Sequence, residues 1–281
     1  MNQSNSLGIL NGYGGRMSLN PKMKCICRSK NFNKISKYSR LLEENVDYIE
    51  CEDCGLIVAS DSENYNLSKI YNESYFLDMD TGWKGRAELV LEFINFLNRG
   101  LNLKEMKMCD FGAGNGYLTK SLIDSGYTIC AYEPFLGNNL YLDKMYYINE
   151  PFKADVLIMV EVFEHFTNSS KEIEEILIKF NYPKILIFTT QLTENAKGNI
   201  DDWWYLNPDA GHFTLWSKKS LVRLGELEGY NFVSFSDFMH ILCKKQYKKE
   251  YEILKLKSVA YKLKSALSNR YIFLKNKIKT K

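Results

Sequence analysis

Histidine is scarce in this chain of 281 residues: there are three, among them His165 and His212. Any imidazole chemistry must therefore draw on a very small set. Also missing is an apolar run near the ~20 residues that a membrane-spanning helix needs. The opening, Met1 to Asn20, is rich in Asn, Ser and Gly, with neither a basic flank nor a long apolar stretch. It does not read as a secretory signal. Residues 1–21 are expected to form a disordered leader, and the chain is expected in the cytoplasm. The seven cysteines are an odd number with no export signal, which favours reduced thiols over a disulfide framework. Acidic residues are nearly absent from the end: between Lys244 and Lys281 stand thirteen Lys or Arg and only Glu250 and Glu252. That tail carries +11 in a chain of net charge +3, so the remainder is −8.

The 45% hydrophobic fraction is ordinary for a globular protein, and the length suits one large domain with a small one. Helical spacing begins near Arg86, with Leu89, Val90, Phe93, Ile94 and Leu97 on one face. From Lys104 short strand-like runs alternate with helical ones. Strands are predicted over Met106–Phe111, Tyr127–Tyr132, Met145–Ile148, Val156–Val160, Ile185–Thr189, Phe232–Phe235 and Met239–Cys243. Helices are predicted over Tyr117–Ser125, over Lys171–Phe180 behind a capping box from Ser169 to Glu172, and over Lys218–Leu227 with Ser217 as cap. This alternation predicts an α/β fold with a doubly wound parallel sheet, whose ligands lie at the carboxyl ends of its strands.

The first of these strands runs into Asp110-Phe111-Gly112-Ala113-Gly114-Asn115-Gly116-Tyr117. Glycine at every second position allows a sharp turn and a close backbone approach to a ligand, and the helix behind it offers free amides. Tyr117 stands where a dinucleotide fingerprint wants its third glycine. Asp110 would repel a pyrophosphate and attract an ammonium. Glu133, ending the second strand, can accept hydrogen bonds from both hydroxyls of a ribose.

These residues resemble motif I and the ribose-binding acid of the class I S-adenosylmethionine-dependent methyltransferases, and the likeness spans Arg86 to Cys243. It implies S-adenosylmethionine as cofactor, held by Asp110, Gly112, Gly114, Gly116 and Glu133. It implies a Rossmann-like seven-stranded sheet with an antiparallel last hairpin. Asn149 falls where the family often places a polar residue that contacts adenine.

The fourth strand leads into Glu161-Val162-Phe163-Glu164-His165. On a helix, Glu161, Glu164 and His165 would share one face. Two carboxylates and an imidazole so placed form either a divalent-metal site or an acid/base cluster. His212, in Gly211-His212-Phe213, should return to the same rim. Together, Glu161, Glu164, His165 and His212 resemble the four magnesium ligands of the small-RNA 2′-O-methyltransferases. Magnesium or manganese is one expectation for this cluster; a second is a metal-free base, His165 or His212, with Glu161 beside it; a third is a structural role, capping the helix and touching the cofactor.

Cys51-x-x-Cys54-Gly55 has the form of a zinc knuckle, and Cys25-x-Cys27 is a pair one residue short of the usual spacing. Four thiolates in two pairs suit a structural tetrahedral zinc. The run from Cys51 through Tyr71 and Tyr75-Phe76 resembles a bacterial methyltransferase subfamily with an N-terminal zinc ribbon, which includes sugar C-methyltransferases. In the tail, Ile253, Leu256, Ala260, Leu263, Leu267, Tyr271, Leu274 and Ile278 recur at steps of three and four, an apolar stripe in a lysine-rich helix. Such a helix suits RNA, an anionic membrane surface or an acidic partner; the plainer expectation is packing on its own domain or on a second copy.

The expected organisation is therefore a leader at 1–21, a zinc-ribbon-like module at 22–60, a connector at 61–85, a methyltransferase domain at 86–244 and a basic helical tail at 245–281. The expected reaction is methyl transfer to an oxygen of a small polar acceptor, an activated sugar or surface-polysaccharide precursor. Trp203, Trp204 and Tyr205 offer flat faces for it or, equally, pack the rim. Sugar C-methylation and RNA methylation through ribbon and tail are the alternatives.

Overall fold

Strands buried on both faces read as unbroken apolar runs, and three such runs form the middle of the larger sheet. The computed structural model describes residues 25–60, 62–65, 69–70, 82–133, 141–148 and 152–279. Along it run β1 (Phe32–Ser39), β2 (Glu44–Cys51), β3 (Ile57–Ala59), α1 (Trp83–Leu101), β4 (Met108–Phe111), α2 (Tyr117–Asp124), β5 (Ile129–Tyr132), β6 (Val156–Met159) and α3 (Ser169–Lys179). There follow β7 (Ile185–Thr189), β8 (Thr214–Leu215), α4 (Lys218–Glu228), β9 (Tyr230–Ser234), β10 (Met239–Lys244) and α5 (Lys248–Lys279).

The larger sheet has the order β5-β4-β6-β7-β10-β9. β5, β4, β6 and β7 are parallel, and β10 runs antiparallel to both β7 and β9. β4, β6 and β7 are buried at every residue. One face is covered by α1, α2 and the start of α5, through Val90, Ile94, Leu118, Leu122 and Leu254. The other is covered by α3 and α4, through Ile173, Ile176, Leu177, Leu221 and Leu224.

Three local expectations differ from what is observed. The strand expected over Met145–Ile148 is a 3₁₀ turn at Lys144–Tyr146 followed by one parallel bridge, Ala131 to Tyr147. The described sheet therefore has six strands and a single-residue seventh pairing. The cap of α3 is Asn168, and Ser169 is already helical and buried. Half of the expected capping box survives in shifted register, with Glu172 accepting from the Asn168 amide at 2.8 Å. Glu161 to His165 do not form an α-helix: Glu161 has φ +53 and Phe163–His165 is one 3₁₀ turn. The cap on α4 is as expected, since Ser217 and Ser220 form a reciprocal box.

The smaller sheet has the order β1-β2-β3-β8, antiparallel throughout. Its fourth strand comes from the distant Thr214–Leu215 pair, so residues 22–60 do not complete their own sheet. The leader, most of the connector with Tyr71, Tyr75 and Phe76, and Asn149 lie outside the described residues.

Candidate functional site

The chain leaves β4 for β5 on one side of the sheet and returns to β6 on the other, which opens a crevice at the carboxyl ends of β4 and β6. Two loops border it, one after each strand.

The loop after β4 carries Gly112, Gly114 and Gly116 at φ +73, +52 and +80, a conformation that a side chain makes costly. A Cβ on Gly116 would stand 2.4 Å from the Leu142 Cβ, and one on Gly112 would stand 2.9 Å from Val162. A Cβ on Gly114 would meet no described atom within 4 Å. Packing therefore demands two of these glycines, and the third faces open space. Glu133, 8% exposed, accepts from the Gly114 amide at 2.7 Å. Asp110 is buried beneath the loop, where Thr119 Oγ1 donates to its Oδ2 at 2.7 Å. Burial pushes the Asp110 carboxyl up to about 7; the Thr119 bond opposes that, and the Glu133 charge adds to it. Trp83, Tyr117 and Tyr141 cluster beside the loop with ring centroids 5.3–5.6 Å apart.

The loop after β6 brings its residues together by a different route from the expected helix face. The backbone groups that a helix would consume are engaged by the 211–216 segment. The Phe213 amide donates to the Glu164 carbonyl at 2.8 Å, Thr214 Oγ1 to the Phe166 carbonyl at 2.7 Å, and Trp216 Nε1 to the Phe163 carbonyl at 2.9 Å. This zipper draws His212 to His165, with ring centroids 5.4 Å apart. One donor atom each from Glu164, His165 and His212 lies within 4.8 Å of the others.

Glu164 is fully buried, and neither of its carboxylate oxygens has a hydrogen bond of ordinary geometry. The Tyr205 and Thr190 hydroxyls lie near enough to favour its charge, but burial and the neighbouring Glu161 push its carboxyl far above the usual range. An uncompensated buried carboxylate is costly, so the position calls for a proton or a cation. Both imidazoles are oriented from behind: His165 Nδ1 lies 3.0 Å from the Gly211 carbonyl, and His212 Nδ1 lies 2.7 Å from the Tyr205 carbonyl. A carbonyl accepts only, so Nδ1 carries the proton and Nε2 the lone pair, the arrangement typical of a metal-bound histidine. Burial lowers the two imidazoles to about 4 and about 3, keeping both neutral. The donor set therefore fits a divalent cation.

Glu161 stands apart from that trio. Its carboxylate accepts from Thr189 Oγ1 at 3.0 Å, and its amide donates to the same oxygen at 2.8 Å. Thr189, at the end of β7, and Tyr205, whose ring centroid is 4.3 Å from that of His212, are site residues whose roles no local motif announces. Trp203 and Tyr205 are buried, which removes them as exposed acceptor faces; Trp204 is 70% exposed and packs edge-on to Tyr205 at 5.2 Å.

The four N-terminal cysteines converge. Cys25 and Cys54 sulfurs are 3.2 Å apart, and Cys27 lies 3.4 Å from both Cys25 and Cys51. Tetrahedral zinc with bonds of ~2.3 Å places its sulfurs ~3.8 Å apart, so a small expansion would admit the ion. The short first pair is accommodated by a tight turn, in which the Arg28 amide donates to the Cys25 carbonyl at 2.7 Å and Arg28 takes φ +62. Gly55, at φ +70, closes the second turn onto the Cys51 carbonyl at 2.7 Å. Ser217 Oγ donates to the Cys54 carbonyl, which joins this knuckle to the cap of α4.

A family model described as a methyltransferase domain matches residues 83–234, more than half of the chain. No curated protein matches. Among solved structures, the methyltransferase domain of bacterial CtHen1 is 16% identical with a TM-score of 0.41, over 56% of this chain and 99% of that one. Magnesium protoporphyrin IX methyltransferase from Synechocystis PCC 6803, with bound SAH, is 15% identical with a TM-score of 0.41, over 57% and 82%. Human N-acetylserotonin methyltransferase, in complex with SAM, is 15% identical with a TM-score of 0.45, over 63% and 58%. With the glycine loop, the acid that follows β5 and the parallel-then-antiparallel sheet in place, the family match is decisive: this chain belongs to the methyltransferase-domain family and is an S-adenosylmethionine-dependent methyltransferase.

Proposed function

We propose that the chain methylates an oxygen of a small polar acceptor bearing two neighbouring oxygens, of the kind found in an activated sugar or surface-polysaccharide precursor, with a divalent cation at Glu164, His165 and His212. The observation that carries this reading is the Glu164 carboxylate, fully buried with neither oxygen in a hydrogen bond of ordinary geometry, beside two imidazoles held from behind by carbonyls. A divalent cation there would hold two acceptor oxygens and favour loss of the proton from the accepting hydroxyl. Glu161, outside the trio and bonded to Thr189, would have to turn toward it to complete the ligand set or to receive that proton.

The remaining work falls to positioning. S-adenosylmethionine already carries an electrophilic methyl, so the protein aligns the acceptor oxygen with the sulfur and excludes water. Glu133 would take the ribose hydroxyls and Asp110 would face the ammonium, while open space over Gly114 admits the cofactor. The oxygen–carbon bond forms as the sulfur–carbon bond breaks, releasing S-adenosylhomocysteine and one proton. Trp204 supplies an exposed ring for the acceptor. The four cysteines would hold one structural zinc.

Incubation of purified protein with labelled S-adenosylmethionine and a panel of nucleotide sugars tests this directly. Label should enter a sugar oxygen, stop with chelator and return with magnesium or manganese. Undiminished transfer in chelator removes the cation, label on carbon indicates C-methylation, and label only in added RNA replaces the acceptor class.

A further inference from the structure

Helix α5 has two faces of opposite character. The inner face, through Leu254, Ser258 and Tyr261, lies on the body of the protein. Leu254 has no exposure, and the Tyr261 ring packs on Phe93 at 5.5 Å and Phe96 at 5.6 Å. Lys257 Nζ donates to the Phe96 carbonyl at 2.8 Å. The outer face carries large aliphatic side chains in solvent: Leu256 is 73% exposed, Val259 58%, Leu263 60% and Leu267 67%. At about 100° per residue these four and Ala260 fall within a stripe about 100° wide, turned away from the inner face. Of the expected stripe, Ile253 packs on the body, whereas Leu256, Ala260, Leu263 and Leu267 face solvent.

Lysines flank the stripe on both margins, Lys255 and Lys262 on one side and Lys264 on the other, all exposed. That placement lets aliphatic side chains enter an apolar layer while ammonium groups reach its charged border. Charge selects among apolar partners: a second copy would bring another segment of thirteen basic and two acidic residues against this one, whereas an anionic surface complements it.

We infer that α5 docks the protein on an anionic lipid surface, lying parallel to it with Leu256, Val259, Leu263 and Leu267 in the headgroup boundary and the flanking lysines on lipid phosphates. The enzyme body would then sit against the membrane through this helix.

The full chain should co-sediment with vesicles containing phosphatidylglycerol and far less with pure phosphatidylcholine. Replacing Leu256, Leu263 and Leu267 together by Gln should weaken that binding by about tenfold or more while leaving the circular dichroism spectrum and cofactor affinity unchanged, because these side chains already face water. The inference is overturned by failure to bind phosphatidylglycerol, by equal binding of the triple variant, or by a leucine-dependent dimer in vesicle-free solution. It is equally overturned if RNA is bound tightly, with no leucine dependence, under conditions where vesicles are not.

Discussion

The Tyr48 hydroxyl donates to the carbonyl of His212 at 2.9 Å, and Tyr48 is wholly buried. A side chain from the cysteine-bearing module thus holds the backbone of a candidate metal ligand. Nearby, Asp209 accepts from Ser39 Oγ at 2.7 Å and from the Leu41 amide at 3.1 Å, fixing the turn that precedes His212. The module and the site loop are one mechanical unit.

That coupling predicts an effect of zinc at a distance. Wild-type protein should contain about one zinc per chain by elemental analysis, and Cys51→Ser should lose it. In Cys51→Ser the 205–216 segment should become sensitive to limited proteolysis, and methyl transfer should fall at least tenfold, though no cysteine belongs to the Glu164 cluster. Intact metal content in that variant, or unchanged protection of the segment, would contradict the coupling.

Gly116 and Gly114 should respond differently to substitution. Gly116→Ala places a methyl against Leu142 and Tyr147 and should lower the melting temperature by several degrees. At Gly114 an added Cβ meets no described atom within 4 Å, so Gly114→Val should stay folded with a backbone penalty of about 1–2 kcal/mol, yet lose S-adenosylmethionine binding in calorimetric titration. Near-wild-type affinity in Gly114→Val would place the cofactor elsewhere.

Trp204 is the exposed member of the aromatic group near His212. Trp204→Ala should raise KM for the acceptor by roughly tenfold, as expected for loss of one stacking face, with cofactor affinity unchanged. An unchanged KM would leave Trp204 as rim packing only.

His240 gives a pH signature separable from the site. It is fully buried on β10, between Ser234 Oγ and the Thr190 carbonyl, each at 3.1 Å, and burial lowers it to about 3. Its folded value lies below the unfolded ~6.5, so its stabilising contribution is complete above ~6.5 and is lost as pH falls toward 3. Buried carboxylates such as Asp110 are raised and act in the opposite direction, so the difference from a variant is the informative quantity. Across pH 6 to 4, wild type should lose about 1 kcal/mol per pH unit more than His240→Gln in urea unfolding. Parallel slopes would show that His240 is protonated in the folded state.

What could be read from the chain beforehand follows how local its causes are. The glycine loop was legible because strand, turn, helix and acid are all specified within a few residues of Gly114, and four cysteines announce a cluster by composition. The Glu161–His165 segment was legible as residues and not as conformation. Its carbonyls are taken by Phe213, Thr214 and Trp216, some fifty positions away, so no local pattern could show that the helix is forestalled. β8 is two residues long and becomes a strand only because β3 lies beside it. In α5 both faces carry apolar residues, and periodicity alone could not tell which one meets the body.

The pairing of β3 with Thr214–Leu215 also fixes an order of events during synthesis. The cysteine-bearing strands leave the ribosome early, but the edge they need is roughly 155 residues behind, a delay of ~8–30 s at ordinary elongation rates. Until then β3 exposes an unpaired edge and Tyr48 has no carbonyl to engage. The nascent N-terminus must wait, with its thiols held reduced or already on metal, for the downstream segment to close it. A protein cut between the module and the rest would therefore separate one folding unit into two incomplete ones.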